Sequence, residues 1–122
     1  MKNIIYSAVL IFVILIIGCS SLYSVKNETN RYGLTQKQYN YVKSETVPGG
    51  KLDFEPQFQN NQLVIINNVA YNKKDAALYT WALAVKKLGI KKAEDAISLY
   101  EELRSVKLQD TQKKAIQNAY TK

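Results

Sequence analysis

Between Leu63 and Tyr71 the apolar residues of this chain stand almost side by side, and from Asn72 onward they recur every three to four positions. A strand presents alternate residues to one face, whereas a helix gathers positions three and four apart, so the change of period marks a change from β to α structure. Leu63-Val64-Ile65-Ile66, then Asn67-Asn68, then Val69-Ala70-Tyr71 reads as a hairpin with a two-residue turn. Asparagine tolerates the left-handed backbone that a type I′ turn demands at both central positions. In that register Ile66 faces Val69 and Val64 faces Tyr71, while Leu63, Ile65 and Ala70 occupy the opposite face. Both faces are apolar, so neither is expected to be wet. One should pack on the helices that follow, the other on the segment from 34 to 58 or on a partner.

Three helical stripes follow. Asn72 is placed to cap the first helix, with Asp75 at its third position and Leu78, Trp81, Ala82, Val85 and Leu88 on one face. Gly89 ends it, and Ile90 is placed to fold back on its last turn. A second helix, about 92 to 106, turns Ala93, Ala96, Ile97, Leu99, Tyr100, Leu103 and Val106 inward. Asp110 caps a third, with Ala115, Ile116, Ala119 and Tyr120 as its stripe. Short connections place neighbouring helices antiparallel. Trp81, inside a stripe, is expected in the core, as are Tyr39, Tyr71, Tyr79, Tyr100 and Tyr120 in the core or at its rim.

Before the hairpin the signals are shorter. Residues 20 to 33 are polar without sustained period and read as a tether. Thr35 and Gln38 form a capping box, with Leu34 and Tyr39 as a hydrophobic staple, so a short helix is expected from about 36 to 43. Pro48-Gly49-Gly50 suits a type II turn. Leu52 and Phe54 alternate with Asp53 and Glu55, the pattern of a half-buried strand that Pro56 stops or pushes to a sheet edge. The expectation is a small α+β domain over residues 34 to 122, in which a short helix and a small antiparallel sheet precede three C-terminal helices.

The N-terminus sets an address. Ile4 to Ile17 is an apolar run of fourteen residues, about 21 Å as a helix against roughly 30 Å of hydrocarbon core. Lys2 precedes it and the small Gly18 follows, which are the three parts of a secretory signal. Extension through Tyr23 would reach a spanning length, but Ser20 and Ser21 interrupt the apolar pattern where a span needs it. Ile16-Ile17-Gly18-Cys19 resembles the lipobox of bacterial lipoproteins. That resemblance implies a signal peptide over residues 1 to 18, cleavage between Gly18 and Cys19, and fatty acylation of Cys19. Residues 19 to 33 would then be a lipidated N-terminus and tether. It implies a chain anchored to the cell membrane or outer membrane on its extracytoplasmic side.

Several chemistries lack their residues. Cys19 is the one cysteine, which excludes an intramolecular disulfide, and histidine is absent. Nucleophilic catalysis would need serine or threonine activated by lysine, and no Ser-x-x-Lys spacing occurs. Asp53 and Glu55 share one face of the expected strand, where a solvated outer surface accounts for them. No metal spacing and no cofactor signature is present, so the expectation is a protein that is not an enzyme. Gly89-Ile90 between helices superficially resembles a DNA-binding helix-turn-helix. Asp95, however, stands six positions after Gly89, where that family buries an aliphatic residue, and Glu94, Glu101 and Glu102 would repel phosphates. No nucleic-acid partner is expected.

Two functional expectations remain. Loss of residues 1 to 18 removes Lys2 and leaves 16 basic residues against 10 acidic ones, a moderate excess that suits solubility or attraction to polyanions. Lys86, Lys87, Lys91 and Lys92 surround Gly89. The latter two lie at a helix start whose free amides attract anions, so the cluster is a candidate anion-binding turn; a solvated turn explains the same residues. Leu63 and Ile65 are the candidate interface for an envelope protein partner. The first expectation is a lipid-anchored binding or scaffolding module, a kind that includes immunity and phage-exclusion lipoproteins. The alternative is a binder of anionic envelope surfaces through the lysine turn.

Overall fold

The computed structural model describes residues 28–60 and 63–121, so the cleavage and acylation expected at Gly18 and Cys19 lie outside the described residues. Within them the order is α1 (Gln36–Glu45), a 3-10 turn (Glu55–Phe58), β1 (Val64–Ile66), β2 (Val69–Tyr71), α2 (Lys73–Leu88), α3 (Ala93–Arg104) and α4 (Asp110–Tyr120). This is the expected α+β class, a two-stranded antiparallel sheet with helices around it. The long α2 is central and packs against α4, α3, the 3-10 turn and both strands.

Trp81, Leu34, Ile90, Leu99, Ile116, Val42 and Val85 are the largest fully buried side chains. They come from α1, α2, α3, α4 and two connections, so the core is one body rather than a helical half with an appendage. Trp81 meets the Tyr100 ring edge-on, with centroids 5.0 Å apart, and its Nε1 donates to the buried Thr46 Oγ1 at 3.0 Å. A buried indole N–H must find an acceptor, and the residue after α1 supplies it.

The caps hold the helices in register. Thr35 and Gln38 close the capping box on α1, which runs two residues beyond its expected end. Asn72 Oδ1 accepts from the Asp75 amide at 2.8 Å. Past α2 the Ile90 and Gly89 amides donate back to Val85 and Lys86 carbonyls, and Ile90 is fully buried. This double return is a Schellman closure. Gly89 has φ +134°, and a Cβ there would lie 3.1 Å from the Gly33 carbonyl oxygen; a Cβ on Gly33 would lie 3.0 Å from the Gly89 oxygen. Two backbones cross where neither can carry a side chain.

Four expectations are corrected. Residues 52–54 form no strand: the Leu52 amide donates to Glu45 O and the Asp53 amide to Gly50 O. The Asp53 carboxylate accepts from the Gly49 and Glu55 amides, and Pro56 falls in the first turn of the 3-10 segment. Local side-chain capping thus wins over the alternating pattern. The type II geometry at Val47-Pro48-Gly49-Gly50 is present, with Gly49 at φ +82° and a Gly50 N to Val47 O bond of 2.8 Å.

The expected tether ends earlier than residue 33. Asn30 Oδ1 accepts from the Tyr32 and Leu34 amides, Thr29 bridges Thr35, and Tyr32 is 4 % exposed. A clasp secures this segment to α3: Glu102 Oε1 accepts from Arg31 at 2.6 Å and from the Tyr32 hydroxyl at 3.1 Å, and Oε2 from the Tyr39 hydroxyl at 3.0 Å. The Tyr32 and Tyr39 rings stack 6.5 Å apart. Those bonds, the Tyr39 hydroxyl first, hold the Glu102 carboxyl below its ordinary pKa against the opposing effect of burial.

At the far end, α3 stops at Arg104 because Ser105 adopts a left-handed φ of +50°, which leaves Val106 exposed rather than inward. Gln109, not Asp110, caps α4, in a box with Gln112. Asp110 is the first helical residue, where its charge still suits the helix start.

Candidate functional site

The hairpin has the expected register, Val64 with Tyr71, Ile65 with Ala70 and Ile66 with Val69. Asn67 and Asn68 have φ of +52° and +66°, as a type I′ turn requires. Asn67 Nδ2 donates to the Tyr79 hydroxyl of α2 at 3.0 Å, and the Tyr71 and Tyr79 rings meet 5.6 Å apart. The Tyr71 hydroxyl accepts from Asn118 of α4 at 2.8 Å. Val64 and Ile66 pack against the core. An isolated two-stranded hairpin is marginal in water, so these links to α2 and α4 are what hold this one.

Its other face is open. Leu63 is 65 % and Ile65 66 % exposed, and Ala70 opposite Ile65 is exposed as well. Of the two covers expected for this face, one is a partner and the other, the segment from 34 to 58, does not cover it among the described residues. Its 3-10 turn packs against α2 instead, with Phe54 and Phe58 against the core. Leu63, just before β1, and Ile65 within it are large aliphatic side chains two residues apart, a surface that gains about 25 cal/mol per Å² when another apolar surface covers it.

The lysine turn is brought together only in part. Lys87, Lys91 and Lys92 are exposed. Lys86 turns back: its Nζ donates to the Ala119 carbonyl at 3.4 Å and lies 5.4 Å from the Tyr120 ring centre. A lysine at that place satisfies a carbonyl at the end of α4 and gains a cation–π contact. The Tyr120 hydroxyl donates to the Ile90 carbonyl at 2.9 Å, and burial drives its pKa upward. So Lys86 is part of the joint between α2 and α4, whereas Lys87, Lys91 and Lys92 make the outward part of the turn. Glu94 and Asp95 follow in the first turn of α3.

Among the described residues no group of three or more histidine, cysteine, aspartate or glutamate side chains is gathered for a metal ion, and no helix is long and apolar enough to cross a membrane. Comparison with protein-family models, with curated proteins and with solved structures finds no match for this chain.

Proposed function

We propose that this chain is a lipid-anchored, extracytoplasmic binding or scaffolding module of a bacterial cell envelope, without catalytic activity, that holds a protein partner on the outer face of its hairpin. The observation that carries the reading is the exposure of Leu63 and Ile65 on a hairpin whose inner face is fixed to the core. A rigid apolar face binds with little loss of conformational entropy, because the strands are already ordered. The lipobox-like Ile16-Ile17-Gly18-Cys19 supplies the anchor in this reading. Eight residues, 20 to 27, separate Cys19 from the described domain. Fully extended they reach at most about 29 Å, so the partner would lie close to the membrane surface.

A second reading has its own support. Gly33 packs on Gly89, so the lysine turn lies beside the segment that leads back to the proposed anchor. Lys87, Lys91 and Lys92 there would face anionic headgroups, each contributing about 1 kcal/mol near such a surface.

Salt distinguishes the two. With a photo-crosslinking residue in place of Ala70, the full-length protein in its own membranes should give one discrete protein adduct that persists at high ionic strength. Leu63→Asp with Ile65→Asp should abolish it, and Cys19→Ser should release the protein from the membrane. Absence of an adduct, together with salt-sensitive vesicle binding lost on Lys87→Gln, Lys91→Gln and Lys92→Gln, would favour the lysine turn instead.

A further inference from the structure

On the side of the molecule formed by the start of α2, the 53–55 segment, the end of α3 and the start of α4 lies a groove of about 510 Å³. Trp81 and Leu78 form part of its apolar lining, and Tyr100 borders it. That volume falls in the range of small-molecule sites, roughly 300 to 1,000 Å³. Three carboxylates, Asp53, Glu55 and Asp75, and three cations, Lys74, Arg104 and Lys107, share its lining. Among the described residues none of the six forms an ion pair, even though opposite charges occupy one concavity.

Asp75 is the most telling of them. It is 9 % exposed, and its carboxylate has no hydrogen-bond or ion-pair partner among the described residues. Its amide is taken by Asn72, but its side chain does not return to the Asn72 amide as a closed capping box would require. Neither oxygen is sealed off as an orphaned buried atom, so the little exposure that remains is consistent with access from the groove it lines. Burial pushes its pKa up, with no opposing cation among the causes. A nearly buried carboxylate of this kind gains most from a donor that arrives with its own positive charge. Tyr100 reports the neighbouring charges: burial raises its hydroxyl pKa, Arg104 pulls it down, and Glu55 and Asp53 add to the rise.

We propose that this groove binds a short peptide with free termini, its ammonium group donating to Asp75 and its carboxylate meeting Arg104 and Lys107. A zwitterion satisfies both signs left unpaired in the lining, which a simple amine or a simple acid does not. The accessible apolar lining at Phe54, Tyr100 and Val106 receives the peptide's side chains, with Leu78 and Trp81 closed off beneath it. This site is separate from the hairpin face and stands whether or not that face holds a partner.

The test uses the ¹⁵N-labelled full chain in detergent micelles, titrated with leucyl-leucine, its N-acetyl derivative and its C-terminal amide. Leucyl-leucine should give saturable shifts at amides of residues 74–78 and 104–109, and N-acetylation should weaken binding by about tenfold or more, the worth of a charged hydrogen bond. Asp75→Asn keeps the shape and removes the charge, so the amide spectrum should stay dispersed while the preference for the free amine disappears. Arg104→Gln should instead remove the preference for the free carboxylate over the amide. Equal binding of free and acetylated dipeptide to the wild type, a preference that survives Asp75→Asn, or no saturable shift with any of the three would overturn the proposal.

Discussion

The Glu102 clasp and the Asp75 groove place a carboxylate on an amphipathic helix in opposite circumstances. Glu102 is exposed, yet it gathers Arg31, Tyr32 and Tyr39, and its pKa is lowered. Asp75 is nine-tenths buried, gathers no partner among the described residues, and its pKa is raised by burial. Where the chain must hold itself together it supplies the donors from a segment some 70 residues away in sequence. At the groove it supplies none, although Lys74 is adjacent in sequence and Arg104 and Lys107 share the lining. An exposed carboxylate can be left to water at little cost. Asp75 is nearly closed off yet still open to the groove, and among the described residues it is the carboxylate left for the proposed peptide to meet.

The largest effect should come from the side chain under the groove. Trp81→Ala removes the largest fully buried residue and leaves Thr46 Oγ1 without its donor, so it should cost about 3 to 5 kcal/mol of stability in a urea titration. A loss below about 1 kcal/mol would mean that Trp81 belongs to a loose, adaptable groove floor rather than to the core. That outcome would leave Asp75 beside an adaptable wall and weaken its contrast with the well-anchored Glu102.

A smaller effect is expected at the clasp. Because the folded pKa of Glu102 is depressed, its contribution is present above the unfolded value and lost as pH falls through the folded one. Glu102→Gln should therefore lower the Tm at neutral pH and flatten the acid side of the stability profile. Circular dichroism melts between pH 7 and pH 3 would show it, with the wild type and the variant converging at the acid end. Asp75 acts with the opposite sign. Its raised pKa means that the native state holds its proton more tightly, so stability falls as pH rises through the interval between the unfolded and folded values. Parallel profiles for wild type and Glu102→Gln would remove the clasp from the account.

The hairpin was legible because everything that defines it is local: two asparagines that accept positive φ, flanked by paired apolar residues. The cap at Asn72 and the stop at Gly89 were legible for the same reason. The 52–54 stretch misleads because Leu52-Asp53-Phe54-Glu55 alternates as a strand does, while the bonds that decide it are donated by the Gly49 and Glu55 amides to the Asp53 carboxylate. Tyr32 gave no sign of burial, since the α3 residue that holds its hydroxyl lies far along the chain. Asp75 was visible only as a carboxylate at a helix start, a position favourable in any exposed helix. It shares the groove lining with the 53–55 segment and the end of α3, a meeting that no spacing near residue 75 encodes. Of the candidate site, the apolar composition of Leu63 and Ile65 could be read directly, but their exposure depended on where the preceding segment packs.

The contrast itself can be measured through the two carboxyl groups. In ¹³C-detected NMR titrations of the full chain, with Glu102→Gln and Asp75→Asn used to assign the signals, the Asp75 carboxyl should titrate above an ordinary aspartate and that of Glu102 below an ordinary glutamate. Saturating leucyl-leucine should then bring the Asp75 value down and leave that of Glu102 in place. An Asp75 that titrates at or below the ordinary value in the unliganded protein would mean that the chain already supplies its partner, and would contradict the account.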